Sequence, residues 1–378
     1  LSLAGRSFYG KNFFQPPPAL RPNIETSGFN PFSGAASAMN IEEKEVRRPV
    51  AALIISDSFH TLPEAVAALD ASGHRAEYVH GLTPWADLEP HQLQALREAK
   101  AVIMGRVLGL NASHFALAPN LKVIALHTSG SDNVDLEEAT RRGVLVTNVK
   151  GVNAEQCAEF AIGLMLCVVR QIQTGDKAIR AGLWASRTQT SMDVYGATLG
   201  VIGLGQIGKA FVKRAHAFGL RILVCTRTQD AAVAEEFGIE YASLDELLRQ
   251  SDIVSLFASL SKDTHHMIGA RELSLMKPSA YLINIARGEL IDQDALLEAL
   301  RSGRIAGAGL DVFEGEPVFD SPLFELDNVV LTPHQAGLTR GGKVGAAVRA
   351  AHNALEALRG SIPKDAVNPT AWAKGNPA

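Results

Sequence analysis

Three side chains able to hold an anion or move a proton, Arg287, Glu316 and His334, each stand just beyond a short apolar run in this 378-residue chain. Arg287 ends Asn284-Ile-Ala-Arg after the run Tyr281–Asn284. Glu316 closes Asp311-Val-Phe-Glu-Gly-Glu, and His334 follows Leu331-Thr-Pro. If the runs are strands, all three lie past carboxyl ends, where open α/β sheets take their ligands. A guanidinium grips a carboxylate or carbonyl oxygen as a charge-assisted fork. An imidazole can give its proton to a carbonyl oxygen as hydride arrives, and a carboxylate beside it orients the ring and raises its pKa. Such a set can reduce a keto acid. Singly, each residue has a plainer reading: a solvated ion pair for Arg287, a turn beside Pro317 for Glu316, a core histidine for His334. Those readings weaken when all three fall on strand ends beside a nucleotide loop.

That loop is Gly200-Val-Ile-Gly-Leu-Gly-Gln-Ile-Gly208, which puts Gly203, Gly205 and Gly208 in G-x-G-x-x-G spacing. It follows the apolar run Thr198–Ile202 and precedes an expected helix, Lys209–Phe218. The first glycine serves the turn, the second lets a pyrophosphate approach the backbone, and the third lets helix and strand pack closely. Amides at the helix start, Gln206 and Ile207 among them, then face the phosphates. A tight structural turn can show the same spacing, but a strand before and a helix after favour dinucleotide binding.

The surrounding elements must bring these groups to one place. Strand-like Val50–Ser56, Arg75–Val79, Ala101–Met104, Leu121–Leu126 and Val144–Thr147 alternate with helix-like Leu62–Ser72, Pro90–Ala99, Ala112–Ala118 and Leu136–Arg142. Alternation at this spacing predicts a parallel, doubly wound sheet. The helix Ala154–Val169 leads away, and a second series follows: Leu199–Ile202, Arg221–Cys225, Ile253–Leu256, Tyr281–Asn284, Gly309–Val312 and Val329–Leu331. The apolar helix Val344–Leu358 has no new sheet to join and is expected to return to the first. The expected fold is α/β with two doubly wound parallel-sheet domains. A Rossmann nucleotide domain, residues 151–334, is inserted into a flavodoxin-like substrate domain made of 49–150 and 335–378.

Hydrophobic residues at 47% and charged residues at 20% fit an ordinary globular chain, and a net charge of −4 gives no reason to expect nucleic acid or an anionic membrane as partner. Cys157, Cys167 and Cys225 lie in apolar surroundings without paired or metal-ligand spacing. That suits buried thiols in a reducing compartment such as the cytoplasm, and no metal site is expected. The apolar run Phe160–Val169 is too short to span a bilayer. Residues 1–48, with Pro16-Pro17-Pro18 and scattered Gly and Ser, are expected to be a disordered leader. They read as a transit peptide, an upstream extension before Met39, or residues added for expression.

Taken together, the motifs resemble those of the D-isomer-specific 2-hydroxyacid dehydrogenases, relatives of phosphoglycerate dehydrogenase and hydroxypyruvate reductase. The resemblance covers roughly Val50 to Ala357. It rests on Asn148-Val-Lys-Gly-Val-Asn-Ala-Glu, the glycine loop, Met276-Lys-Pro, Ile285-Ala-Arg-Gly, Gly309-Leu-Asp-Val-Phe-Glu-Gly-Glu-Pro and Thr332-Pro-His. The separations of 29 residues (316 − 287) and 18 residues (334 − 316) fit the family's pattern. The resemblance implies a homodimeric NAD(P)-dependent enzyme interconverting small 2-keto acids, such as glyoxylate or hydroxypyruvate, and D-2-hydroxy acids. It makes Arg287 the substrate anchor, Glu316 the carboxylate partner and His334 the acid/base. Asp311 matches a residue that binds the nicotinamide carboxamide, and Ile285 falls in a cofactor-facing motif. Ser129 and Gly130 match a loop whose amides take the substrate carboxylate. Asn153 matches a polar residue at the domain crossing, Arg106 lies on a substrate-facing loop, and Trp184 fits interface packing.

The chain also departs from the family pattern. NAD-specific relatives carry an acidic residue where Thr226 stands, 18 residues past Gly208 (226 − 208). Loss of that carboxylate removes repulsion towards a 2′-phosphate, and Arg227 with the hydroxyls of Thr226 and Thr228 supplies donors for one. NADP(H) is therefore expected to be preferred over NAD(H), against the alternative of a solvated Arg227 with NAD still accepted. Phe257 and Ser259 stand where relatives tend to have histidine and proline. Two further functions stay open: a formate dehydrogenase of the same fold, whose relatives place glutamine at Glu316, and a non-enzymatic, nucleotide-sensing protein of the corepressor type.

Overall fold

The computed structural model describes residues 50–55, 59–71, 75–79, 87–105, 110–184 and 190–375. The expected leader, residues 1–48, and Arg106 lie outside the described residues.

Among the described residues, twelve strands form two sheets, all of whose pairings are parallel. The first contains β1 (Val50–Ile55), β2 (Arg75–Val79), β3 (Ala101–Met104), β4 (Val123–Leu126) and β5 (Leu145–Thr147), in the order β2-β1-β3-β4-β5. That is the flavodoxin-like order. The second contains β6 (Thr198–Ile202), β7 (Arg221–Cys225), β8 (Glu240–Tyr241), β9 (Ile253–Leu256), β10 (Tyr281–Asn284), β11 (Gly307–Leu310) and β12 (Val329–Leu331). Its order, β12-β11-β10-β9-β6-β7-β8, is the Rossmann order with one added strand. Strands such as β3, β4, β9 and β10 are buried at every position, as expected of sheets covered by helices on both faces.

Register sets the site. Ile202 pairs with both Cys225 and Leu256, Asn284 with both Leu256 and Leu310, and Leu310 with Leu331. Gly203, Thr226, Ile285, Asp311 and Thr332 therefore all stand one residue past a common line. In the first sheet Ile55, Met104 and Leu126 are in register, so Gly105 and His127 occupy the equivalent places.

The helix Ala154–Val169 has the bounds its apolar pattern predicts. Helix Arg340–Leu358 packs its buried Ala346, Ala347, Ala350, Ala351 and Ala354 into one core with Ile103, Val123 and Ala125 of the first sheet. It starts earlier than Val344 because the Thr339 hydroxyl accepts from the amide of Gly342, a cap that the glycine pair hides from a hydrophobic pattern.

Three expectations are corrected. The second sheet has seven strands rather than six, because β8 is a two-residue edge strand too short to show a pattern. Strand β11 is Gly307–Leu310, not Gly309–Val312: Gly-Ala-Gly-Leu has little intrinsic strand preference and is set by pairing with β10 and β12. The helix Ile172–Arg180 has no counterpart among the expected elements; it is nine residues long and none of them is buried, so no core-facing stripe marks it.

Candidate active site

The carboxyl edges of the two sheets face one cleft of about 1540 Å³. Its wall on the seven-stranded side includes Gly203, Gly205, Gln206, Ile207, Thr226, Arg227, Thr228, Ile285, Arg287, Glu316 and His334. The five-stranded side contributes Gly105, His127, Ser129, Gly130 and Asp132, and Asn153 lies between. Of the residues expected at a site, Gly208 and Asp311 stand behind the wall instead of on it. Trp184 is exposed and is not part of the wall.

Gly203 turns the chain out of β6 at φ +94, and a Cβ there would lie 2.6 Å from the Ala258 amide nitrogen. No L side chain suits that conformation. Gly208, one turn into the helix Gln206–Ala215, would put a Cβ 2.5 Å from the Gly203 carbonyl, so its role is helix–strand packing. Gly205 differs: no protein atom lies within 4 Å of a Cβ placed there. Nothing in the protein requires glycine at that position, and the space beside it opens on the cleft. Phe257 fills its place with an aromatic contact, its ring centroid 4.8 Å from that of Phe211.

His334 follows β12 in a left-handed conformation, φ 51, which costs a non-glycine residue of this kind about 1 kcal/mol or more. Asp311 holds it there. The Asp311 carbonyl accepts from the His334 amide at 2.8 Å. Its carboxylate accepts from the Thr332 hydroxyl at 2.6 Å and from the amides of Gln335 and Ala336, each at 2.9 Å. Burial pushes the Asp311 carboxyl above its usual range, and those hydrogen bonds with the nearby His334 pull the other way. Placed so, His334 Nδ1 lies 2.7 Å from Glu316 Oε2, while Glu316 Oε1 accepts from the Phe313 amide at 2.9 Å. Both side chains are largely covered, so the pair sits in a medium where a charge-assisted bond is stronger than in water.

Arg287 reaches across the cleft. Its Nη2 and Nε donate to Asp132 Oδ1 at 2.9 and 3.1 Å, and Nη1 donates to the Ala286 carbonyl at 2.7 Å. Three of five N–H groups are thereby accounted for, and the guanidinium is fixed in plane. It lies against Gly130 so closely that any Cβ there would overlap Nη2. The neighbouring loop is tied down by Asn148 Nδ2 donating to the Ser129 carbonyl at 2.9 Å and the Ser129 hydroxyl donating to Asn153 Oδ1 at 3.1 Å. Among the described residues, the amides of Ser129 and Gly130 have no acceptor.

The sequence reading passed over Asp132 and His127. A signal existed for Asp132: a carboxylate in a loop expected to take an anion would repel it unless a cation stood opposite. Nothing local marks His127.

Residues 162–336 match the family described as D-isomer specific 2-hydroxyacid dehydrogenase, NAD binding domain. A glyoxylate reductase of Thermococcus onnurineus is 44% identical over 283 residues, 73% of this chain and 85% of the relative. This chain belongs to the D-isomer-specific 2-hydroxyacid dehydrogenase family. Among solved structures, a glyoxylate reductase from Paecilomyes thermophila superposes with a TM-score of 0.74 at 31% identity, covering 84% of this chain and 98% of that one. The NADPH-dependent glyoxylate/hydroxypyruvate reductase of Sinorhizobium meliloti, solved with NADP and malonate, gives 0.75 at 28% identity, covering 86% and 98%.

The chain is thus an NAD(P)-dependent oxidoreductase, and the nucleotide-sensing alternative gives way to the enzyme. Its residues fit a nicotinamide dinucleotide. The open space at Gly205 is what a pyrophosphate needs, and the helix beginning at Gln206 aims its first amides there. Among the described residues, no group of three His, Cys, Asp or Glu could hold a metal ion. No single described helix is long and apolar enough to cross a membrane; the bent pair Ala154–Val169 and Ile172–Arg180 passes by length and composition only, and the first of these is a core helix.

Proposed function

We propose that this dehydrogenase reduces small 2-keto acids of the glyoxylate and hydroxypyruvate type to D-2-hydroxy acids, with NADPH preferred over NADH. The observation that carries the reading is the His334–Glu316 pair facing Arg287 and the Ser129–Gly130 amides across one cleft. A nicotinamide bound beside Ile285 and His334 would supply the hydride that C2 of the keto acid receives. The amides of Ser129 and Gly130 hold the substrate carboxylate, and the outer edge of Arg287 steadies the carbonyl oxygen. Because Glu316 occupies Nδ1, His334 delivers its proton to that oxygen from Nε2. The carboxylate of Glu316 orients the ring for the transfer, after which the neutral imidazole regains a proton from solvent. Asp311 acts through His334 as a positioning residue. Glu316 also argues against formate oxidation, which needs no proton donor to a substrate oxygen.

The NADPH preference rests on Thr226, Arg227 and Thr228 at the end of β7. Arg227 is exposed on the cleft wall and pairs with no carboxylate among the described residues, so a 2′-phosphate meets a cation and hydroxyls instead of an acid. The Sinorhizobium relative is itself described as NADPH-dependent. We further infer a homodimer: Ile172, Ile179, Leu183 and Trp184 form an exposed apolar set that a second copy would cover. Sedimentation as a monomer at micromolar concentration would overturn that assembly. For the reaction, a 2-keto acid panel with both nucleotides is the test. Turnover of glyoxylate or hydroxypyruvate with a higher kcat/KM for NADPH is the expected result, and a higher value with NADH would sink the preference.

A further inference from the structure

His127 stands one residue past β4, on the five-stranded side of the cleft, two residues before Ser129. Its amide donates to the Met104 carbonyl at 2.9 Å, which fixes the backbone at the sheet edge. The imidazole lies over Gly105, at the end of β3, where a Cβ would come within 3.0 Å of Cε1 and 3.2 Å of Nε2. Yet Nε2 is buried and has no hydrogen-bond partner among the described residues. A buried polar atom left unsatisfied is disfavoured, and native proteins keep few of them. Burial also holds the ring well below its usual pKa, at about 4, against a contact with the residue's own carbonyl that favours the proton. At neutral pH the ring is therefore uncharged, and Nε2 is either a single acceptor or a single N–H donor.

The surroundings say what would satisfy it. Phe59, Leu62, Ala346 and Ala347 are apolar parts of the same wall and share one core with Val123 and Ala125 of β4, the strand that leads into His127, so a small, mostly apolar group with one polar atom suits it. A second carboxylate is excluded by chemistry: a neutral ring among apolar side chains cannot offset its charge. A hydroxyl both donates and accepts, so it matches Nε2 in either tautomer.

We propose that His127 is a specificity-determining residue that reads a hydroxyl on C3 of the 2-keto acid, through a hydrogen bond to Nε2. The assignment rests on the keto-acid reductase reading above and goes past it: the enzyme prefers hydroxypyruvate to pyruvate, which has the same carbon skeleton without the hydroxyl. A site built to bond a substrate hydroxyl discriminates against the analogue lacking it more strongly than an apolar pocket senses a methylene.

The experiment measures kcat/KM for hydroxypyruvate and pyruvate with NADPH in the wild type, His127→Leu and His127→Gln. The wild type should favour hydroxypyruvate by tenfold or more. His127→Leu should bring the ratio close to one. His127→Gln, whose amide can reach the position of Nε2, should retain part of the preference. The ratio is unaffected by a general loss of folded enzyme, and the wild-type ratio alone is informative if a variant does not fold. A wild-type ratio near one, or an unchanged ratio in His127→Leu, overturns this inference and leaves the reductase reading standing. Absence of turnover with every 2-keto acid overturns both.

Discussion

The two carboxyl edges that meet at the cleft are organised differently. On the seven-stranded side the reacting groups are held by neighbours from the same sheet: Asp311 after β11 fixes the His334 loop after β12, and Glu316 comes from the β11–β12 connection. On the five-stranded side the loop Thr128–Asp135 makes its decisive contacts outward, with Asp132 and Gly130 against Arg287 of the other sheet. The acid/base is therefore preassembled whatever the two sheets do. The substrate anchor is in place only while they are together. Proton transfer and substrate positioning should accordingly respond to different substitutions and in different kinetic constants.

The largest effect should come from the preassembled side. His334→Ala removes the proton donor and should lower kcat by about 10²–10⁴-fold, the usual contribution of a positioned acid/base. NADPH affinity, measured by fluorescence titration, should stay within about twofold, because the nucleotide wall is built from other loops. Turnover retained at the wild-type level would remove His334 from its role. Equal losses in turnover and nucleotide affinity would show that the two functions are not separable as the comparison holds.

The inter-sheet side should answer with a smaller, differently placed loss. Asp132→Asn leaves the shape but removes the charge that fixes Arg287. We expect KM for the keto acid to rise about tenfold, with kcat falling less, consistent with about 1–2 kcal/mol for a weakened charge-assisted bond. Gly130→Ala, which forces the guanidinium aside, should act in the same direction. A loss in kcat alone, with KM unchanged, would mean that Arg287 acts only in the transition state and that Asp132 does not position it for binding.

These outcomes bear on what could be read from the chain. Buried strands such as β9 and β10 announced themselves as continuous apolar runs, and the residues after them inherited a position from register. That is why Arg287, Glu316, His334 and the glycine loop were legible together. Strand β8 was too short to carry a pattern, and β11 has a sequence that only its neighbours force into a strand. His127 was illegible, and Asp132 marked only by its charge in an anion-binding loop, for a different reason. Their surroundings come from residues 155 and 22 positions away, Arg287 and Gly105, and local periodicity carries no record of a partner so distant in sequence.

Cofactor choice is a perturbation of similar size, confined to the seven-stranded side. Thr226→Asp restores the carboxylate that accepts from both ribose hydroxyls and repels a 2′-phosphate. The NADPH/NADH ratio of kcat/KM should fall by about tenfold or more, each tenfold being about 1.4 kcal/mol. Keto-acid KM should not move. If the ratio holds, Arg227 and Thr228 carry the discrimination without help from the strand end.

The smallest effect expected is on stability, from the five-stranded edge alone. His127 in the folded protein titrates at about 4, against an ordinary 6.5. Between those values the unfolded chain binds a proton that the folded protein refuses, so stability falls as pH is lowered from 6.5 towards 4 and is unaffected by this group above 6.5. His127→Leu abolishes that component. The Tm difference between variant and wild type should therefore shift in the variant's favour across this window, by a few degrees, while staying constant between pH 7 and 8. Parallel Tm profiles would mean that the ring takes up its proton in place. That would require water or another acceptor at Nε2, and the five-stranded edge would then be as well satisfied within itself as the seven-stranded one.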